Sequence, residues 1–258
     1  MMNRDATKVK VVDRYARTAW VTQDEFKNKL IPTYANGPAR IDKDYRMLFA
    51  QEEASKDEFI LAVYYNHPAG IYNNSTAMSI LPAQGRLSAT RKFVNTYLNA
   101  DGTRFTDNPE YKTMEYYDEF QNRDPRLAQQ IDGYLGYVGN GRIRYEGMPG
   151  QETAAENTVS TGYGITKFDE PVTPSKFRQA TNGNETDGPI FWLAEIILNN
   201  AEAYAELGNE AKAAENVNKL RARAGMPTLK LQNDPANNMG VSDLIWEVRR
   251  ERRVELMF

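Results

Sequence analysis

The chain has 258 residues, with 32 Lys and Arg against 35 Asp and Glu and a net charge of −3. It has no Cys and a single His, His67, which excludes a disulfide scaffold, a Cys-ligated metal, a Cys nucleophile and a His-rich metal site. A pI near 5.5 does not describe a nucleic-acid binder, and no apolar run approaches the roughly 18 residues of a membrane helix. The length sets one large domain or two small ones and suffices to bury a core unaided. Aromatic residues are the odd feature, with 15 Tyr against 10 Phe and 3 Trp. A Tyr ring with its polar tip suits packing in a half-buried helix, and equally a wet surface on which something stacks.

The first twenty residues alternate charge with short apolar residues and lack the pattern of a secretory signal. Residues 58–65 are apolar, β-branched and aromatic, which predicts a strand. Asn66-His67-Pro68 ends it, and residues 66–86 read as a loop rich in Asn, Ser, Gly and Pro. Leu87, Thr90, Val94, Tyr97 and Leu98 predict a helix over 87–99, closed by Asp101-Gly102. Asn108-Pro109 and Asp124-Pro125 are cap-and-proline starts, predicting helices to about Phe120 and from Arg126 to Ile131. Residues 132–189 show no sustained period and read as small hairpins and loops.

From Gly188 the pattern strengthens. Pro189 reads as a first helical position, and Leu193, Ile196, Ile197, Ala201, Tyr204 and Leu207 as one helical face ended by Gly208. Asn209 caps a second helix with the stripe Ala211, Ala214, Val217, Leu220 and Ala224, ended by Gly225 and Pro227. The two form an antiparallel hairpin over 189–227, of tetratricopeptide type by its Ala201, Tyr204, Gly208, Ala214 and Pro227. Ser242 caps a last helix with the inner stripe Val241, Leu244, Ile245 and Val248. Extending that stripe reaches Arg252 and Glu255, which are expected to be partly buried and ion-paired. That helix reaches Phe258 without a Gly or Asn stop signal, as expected of a chain cut within an element.

The chemical motifs are sparse. The oxygen-rich loops 101–107 and 182–187 lack calcium-loop spacing and read as turns and caps. Glu52 with Glu53, and Glu115 with Asp118 and Glu119, read as solvated faces rather than catalytic carboxylates. No phosphate loop, dinucleotide fingerprint or nucleophile elbow is present.

Three C-terminal segments are similar to the SusD/RagB family of nutrient-binding outer-membrane lipoproteins. They are Leu193-Ala-Glu-Ile-Ile-Leu-Asn-Asn-Ala-Glu-Ala-Tyr204, Val217-Asn-Lys-Leu-Arg-Ala-Arg-Ala-Gly-Met-Pro227 and Glu251-Arg-Arg-Val-Glu-Leu-Met-Phe258. Weaker matches lie upstream in the family's order: Tyr45–Phe49, Glu58–Val63, Phe93–Tyr97 with Asp101-Gly102, Asn122–Leu127 and Gly162–Phe168. The resemblance covers roughly residues 45–258. Trp192 stands where the family usually has Arg. The family's lipid-bearing Cys and N-terminal helical repeats are not evident, so residues 1–258 are expected to be one incomplete domain from the C-terminal half.

The resemblance implies a mainly α fold of tetratricopeptide-like hairpins, with long irregular loops and a few short strands. It implies a cell-surface lipoprotein of Bacteroidota that is no enzyme, needs no cofactor, binds a glycan or peptide and delivers it to a SusC-like TonB-dependent transporter. Family ligand residues follow no fixed motif. The expected site is therefore the loop after the first strong strand, with Asn66, His67, Tyr72, Asn73 and Asn74, and with Trp20, Tyr137 and Tyr145 as outlying contacts. An aromatic face with amide hydrogen bonds is what a sugar ring needs in a shallow wet site. The rival readings are a tetratricopeptide-like protein-interaction module and a glycosidase, which needs two carboxylates facing across a pocket.

Overall fold

A computed structural model of the chain describes residues 8–12, 18–22, 45–50, 55, 57–74, 87–114, 118–131, 137–138, 142–143, 161–165, 167–168 and 186–257. In chain order these form β1 (Lys8–Val12), β2 (Thr18–Thr22), α1 (Tyr45–Ala50), β3 (Phe59–Val63), β4 (Ser88–Ala89) and α2 (Arg91–Val94). There follow α3 (Pro125–Gln130), β5 (Tyr137–Val138), β6 (Arg142–Ile143), β7 (Tyr163–Gly164) and β8 (Gly188–Trp192). The helices α4 (Leu193–Glu206), α5 (Glu210–Arg223) and α6 (Asp243–Glu255) complete the chain. The strands pair antiparallel, β1 with β2, β3 with β8, β4 with β7 and β5 with β6. The fold is mainly α by its long elements, with short ribbons and loops around a helical hairpin.

The hairpin is held by small residues. Ala201 and Ala205 of α4 meet Ala213 and Val217 of α5, and α6 closes the core with Leu244 and Val248. Asn209 caps α5 by accepting from the Lys212 N–H at 3.1 Å, and Ser242 caps α6 by accepting from Ile245 at 3.3 Å. Gly208 takes φ 70° at the turn between α4 and α5.

The buried faces differ from the expected stripes. Leu193 and Ile196 are exposed on α4, Leu207 is exposed just after it, and Ala211 is exposed on α5. Close approach of two helices favours small side chains, so Ala194, Ala201 and Ala205 face inward with Leu198. Pro189 does not begin α4. It lies in β8, where Phe59 to Val63 pair across to Trp192 to Gly188 and hold this segment extended.

The predicted helix 87–99 is also divided. Ser88 and Ala89 pair with Gly164 and Tyr163, so helix forms only from Arg91, capped by Thr90. The predicted helix after Asn108 is two single 3-10 turns, Pro109–Lys112 and Asp118–Phe120. The helix from Arg126 is present as α3, with Asp124 accepting from the Arg126 N–H at 3.0 Å. A second core lies under these loops, with Val94, Tyr97, Leu127, Ile131, Tyr163, Ile165, Val254 and Met257.

The C-terminal half of α6 buries charge. Arg126 contacts Asp124, Glu251 and Glu255 at 2.7, 2.6 and 2.9 Å. Arg221 meets Glu251 at 2.9 Å, and Arg223 joins Glu255 to Glu58. Arg252 bonds Asn199 at 2.7 Å and approaches Glu195 at 3.9 Å. Arg252 is thus partly buried and paired as expected. Glu255 is paired as well, but fully buried, and with other partners.

Candidate functional site

The loop after β3 begins with a 3-10 turn, His67–Ala69, closed by the pairing of Asn66 with Ile71. Asn66 Oδ1 accepts from the Ala69 N–H at 3.1 Å. Gly70 takes φ 75° and turns the chain back. Asn73 Nδ2 donates to the Thr186 carbonyl at 2.8 Å, and the Tyr65 N–H donates to Asp187 Oδ1 at 3.0 Å. These contacts tie the loop to the strand leading into α4. Tyr72 is 41% exposed, and Asn74 follows it half-buried. Asn66, His67, Tyr72, Asn73 and Asn74 thus share this one loop. Trp20 lies on β2 opposite Lys10, and Tyr137 lies on β5 opposite Ile143. Tyr145 lies outside the described residues, as do Glu52, Glu53, Glu115 and residues 182–185.

A concavity lies elsewhere. A cleft of about 650 Å³ opens between the segment 90–112 and residues 234–253, which include part of α6. That size falls within the roughly 300–1,000 Å³ of small-molecule sites. Phe93, Tyr111, Met239 and Trp246 supply its apolar surface, and Thr90, Thr96, Thr106, Asn95 and Asn238 its neutral polar groups. Trp246 is fixed from behind, its indole N–H donating to Asp234 Oδ2 at 3.0 Å. Asp234 also accepts from Arg250 and from the Ala236 N–H at 2.8 Å. Burial would raise the Asp234 pKa, but these donors hold it below the usual carboxylate range.

Two further arrangements shape this wall. Arg123 donates to the carbonyls of Glu119, Val94 and Tyr97 at 2.7, 3.0 and 2.9 Å and stacks 3.6 Å above the Phe105 ring. Burial lowers its pKa to about 10. Arg91 donates to the carbonyls of Tyr111 and Lys112 at 2.9 and 3.1 Å, which pins the 3-10 turn carrying the Tyr111 ring. Arg91 also pairs with Glu119 at 2.5 Å, and the Tyr163 hydroxyl donates to the same carboxylate at 2.6 Å. Glu119 is only 2% exposed, so it does not lie on the solvated face that its sequence neighbours suggest. The Asp101 loop is a turn, as expected, with Oδ1 accepting from the Thr103 N–H at 2.9 Å.

Sequence reasoning missed this cleft because its two walls lie more than 100 residues apart in the chain. Its aromatics are single residues in segments that read as helix faces. Among the described residues, no group of His, Cys, Asp and Glu is placed to hold a metal ion, and no helix is long and apolar enough to cross a membrane.

The hairpin α4–α5 with its satellite loops defines a tetratricopeptide-like scaffold that presents loops around a concave surface. The SusD family model matches residues 61–258, and the chain belongs to that family. Two solved structures share the fold. A SusD-like protein from Bacteroides fragilis NCTC 9343 is 22% identical, with a TM-score of 0.59 over 87% of this chain and 46% of that one. The protein called BT4246 is 21% identical, with a TM-score of 0.61 over 91% of this chain and 45% of that one. The chain thus spans less than half the length of either. No curated protein sequence matches it.

Proposed function

We propose that the chain is part of a non-catalytic, cell-surface glycan-binding lipoprotein of Bacteroidota that delivers oligosaccharide to a SusC-like TonB-dependent transporter in the outer membrane. Family membership supports the role. The observation that carries it to particular residues is the cleft, where Phe93, Tyr111 and Trp246 line one concave surface together with hydroxyl and amide groups. Sugar rings present an apolar face of C–H groups and a rim of hydroxyls, which such a surface matches. Among the described residues Asp234 is the only carboxylate lining the cleft and is already engaged, so these residues do not build there the opposed pair that a glycosidase needs.

The loop 66–74 is proposed as a second contact surface. Tyr72 would supply the ring, and Asn66, His67, Asn73 and Asn74 the polar contacts, with Trp20, Tyr137 and Tyr145 as outlying contacts. The test is calorimetric titration of the chain against a panel of neutral and charged oligosaccharides. Saturable binding of at least one glycan is expected, weakened about tenfold by Tyr111→Ala. Binding of none would overturn the role, and unchanged affinity in Tyr72→Ala with Trp20→Ala would overturn the loop assignment.

A further inference from the structure

Resting on that reading of the cleft, we infer that its ligand is an acidic saccharide, one whose sugar rings carry carboxylate or sulfate groups. Among the described residues, the cationic side chains lining the cleft are Arg91, Lys92, Arg104, Lys112, Arg250 and Arg253, against the single carboxylate of Asp234. This concentration sits on a chain whose net charge is −3. Part of it is structural. Arg91 is held by Glu119, Arg104 by Asp107 at 2.6 Å, and Arg250 by Asp234 and by Glu247 at 3.1 Å.

The remainder has no such explanation. Lys92, Lys112 and Arg253 are exposed and form no ion pair with the described residues. Lys112 lies 5.7 Å from the Tyr111 ring centre, and Arg253 lies 5.9 Å from that of Trp246. The Tyr111 and Trp246 rings therefore each have a cation beside them. A lone exposed Lys is ordinary, but three unneutralised cations on one concavity raise the local potential for anions.

Aromatic rings, neutral hydroxyl and amide groups and these cations in one cleft match a hydroxylated ring bearing a negative group. A polynucleotide would instead need a long basic groove.

The test titrates the chain with trigalacturonate and with the same trisaccharide fully methyl-esterified, in which each carboxylate charge is replaced by a neutral methyl ester. Sulfated maltotriose against maltotriose forms the second arm, and inorganic phosphate and a short single-stranded DNA are the controls. The expected result is binding of at least one anionic sugar about tenfold tighter than its neutral counterpart. This preference should weaken as salt rises from about 50 mM. The exposed-residue variant Lys92→Gln/Lys112→Gln/Arg253→Gln should abolish the difference between anionic and neutral affinity. Which arm responds distinguishes carboxylate from sulfate. Equal affinity for both members of each pair, or anionic affinity retained in the triple variant, overturns the proposal. So does phosphate or DNA binding as tight as that of the acidic sugars. If neutral sugars bind and acidic ones do not, the acidic ligand fails and the glycan reading stands. If no saccharide binds, the glycan reading fails with it.

Discussion

Arg126 and Glu251 stand 2.6 Å apart with side chains 1% and 4% exposed, joining α3 to α6 across 125 residues of sequence. The guanidinium also meets Asp124 and Glu255, and Glu251 is shared with Arg221. Burial alone would raise the Glu251 pKa, but Arg126 and Arg221 hold it below the usual carboxylate range. Such a cluster favours one relative placement of helices more surely than it adds net stability. Removing its centre is costly, because three buried carboxylates lose a partner. Arg126→Met is expected to destabilise the chain by about 3–5 kcal/mol. Arg126→Lys should recover less than half, since a point charge cannot serve three carboxylates as a planar fork does. Urea unfolding checks both. A midpoint within error of wild type for Arg126→Met would show the cluster to be energetically idle.

Glu247, one turn earlier on α6, titrates in the opposite sense. Burial raises its pKa to about 7, only partly countered by Arg250 and Arg221. Its Oε2 accepts from Arg250 at 3.1 Å, while its buried Oε1 meets no donor among the described residues. The unfolded carboxyl ionises near 4.5, and the folded one keeps its proton to about 7. Unfolding between those values releases a proton, so stability falls as pH rises through the window and levels above it. Glu247→Gln cannot release that proton. Its melting temperature relative to wild type is expected to climb between about pH 5 and pH 8, by the equivalent of about 2 kcal/mol. Parallel pH profiles for the two proteins would refute the assignment.

The segments that carry the family resemblance are those this network ties together. Asp124 and Arg126 come from the Asn122–Leu127 match, Arg221 and Arg223 from the Val217–Pro227 match, and Glu251 and Glu255 from the last. A buried charge restricts both its own residue type and its partner's, so such positions leave a readable pattern. The helices α4, α5 and α6 were legible for local reasons: Asn209 and Ser242 cap α5 and α6, and Gly208 and Gly225 follow α4 and α5, each next to the residues it acts on. What was not legible depended on distant pairing. Ser88 and Ala89 look helical until Tyr163 and Gly164 lie beside them, and Pro189 reads as a helix start until β3 pairs with β8. Glu119 looks solvated until Arg91 and Tyr163 close over it. The cleft escaped for the same reason: Tyr111 and Trp246 are neighbours only after folding.

Trp192, the departure from the family pattern, has a structural use. Lys167 is fully buried, 3.9 Å from the Phe49 ring centre and 5.6 Å from that of Trp192, with Tyr45 and Phe168 nearby, and its ammonium donates to the Met257 carbonyl. Burial lowers its pKa from 10.5 to about 7, against a weaker upward pull from Glu255. Below about pH 7 the lysine is charged in both states and the desolvation cost is carried in full. Between about 7 and 10.5 only the unfolded chain holds the proton, so rising pH relieves the cost and stability increases. Lys167→Met removes the charge at every pH. The stability of this variant relative to wild type is expected to decline by a few kcal/mol from about pH 6.5 to pH 10. A difference independent of pH would mean that the lysine stays charged throughout.

Gly102 tests how tightly the loop within the cleft segment 90–112 is fitted. It takes φ 85°, and a Cβ there would stand 3.0 Å from Pro227 Cγ. Gly208 takes φ 70° with nothing within 4 Å of such a Cβ. Alanine at either position meets the left-handed backbone cost of about 1–2 kcal/mol. Only Gly102→Ala adds a clash, against a proline ring that cannot swing aside, for about 1 kcal/mol more. Gly102 also accepts from Gln232 Nε2 at 3.0 Å through its carbonyl, so a shift of this loop disturbs the segment that carries Asp234. Thermal unfolding of the two variants is expected to show the larger loss for Gly102→Ala. Glycan affinity should fall in that variant and remain intact in Gly208→Ala. Equal losses of stability would mean that Pro227 yields without cost, and intact affinity in Gly102→Ala would uncouple this loop from the cleft.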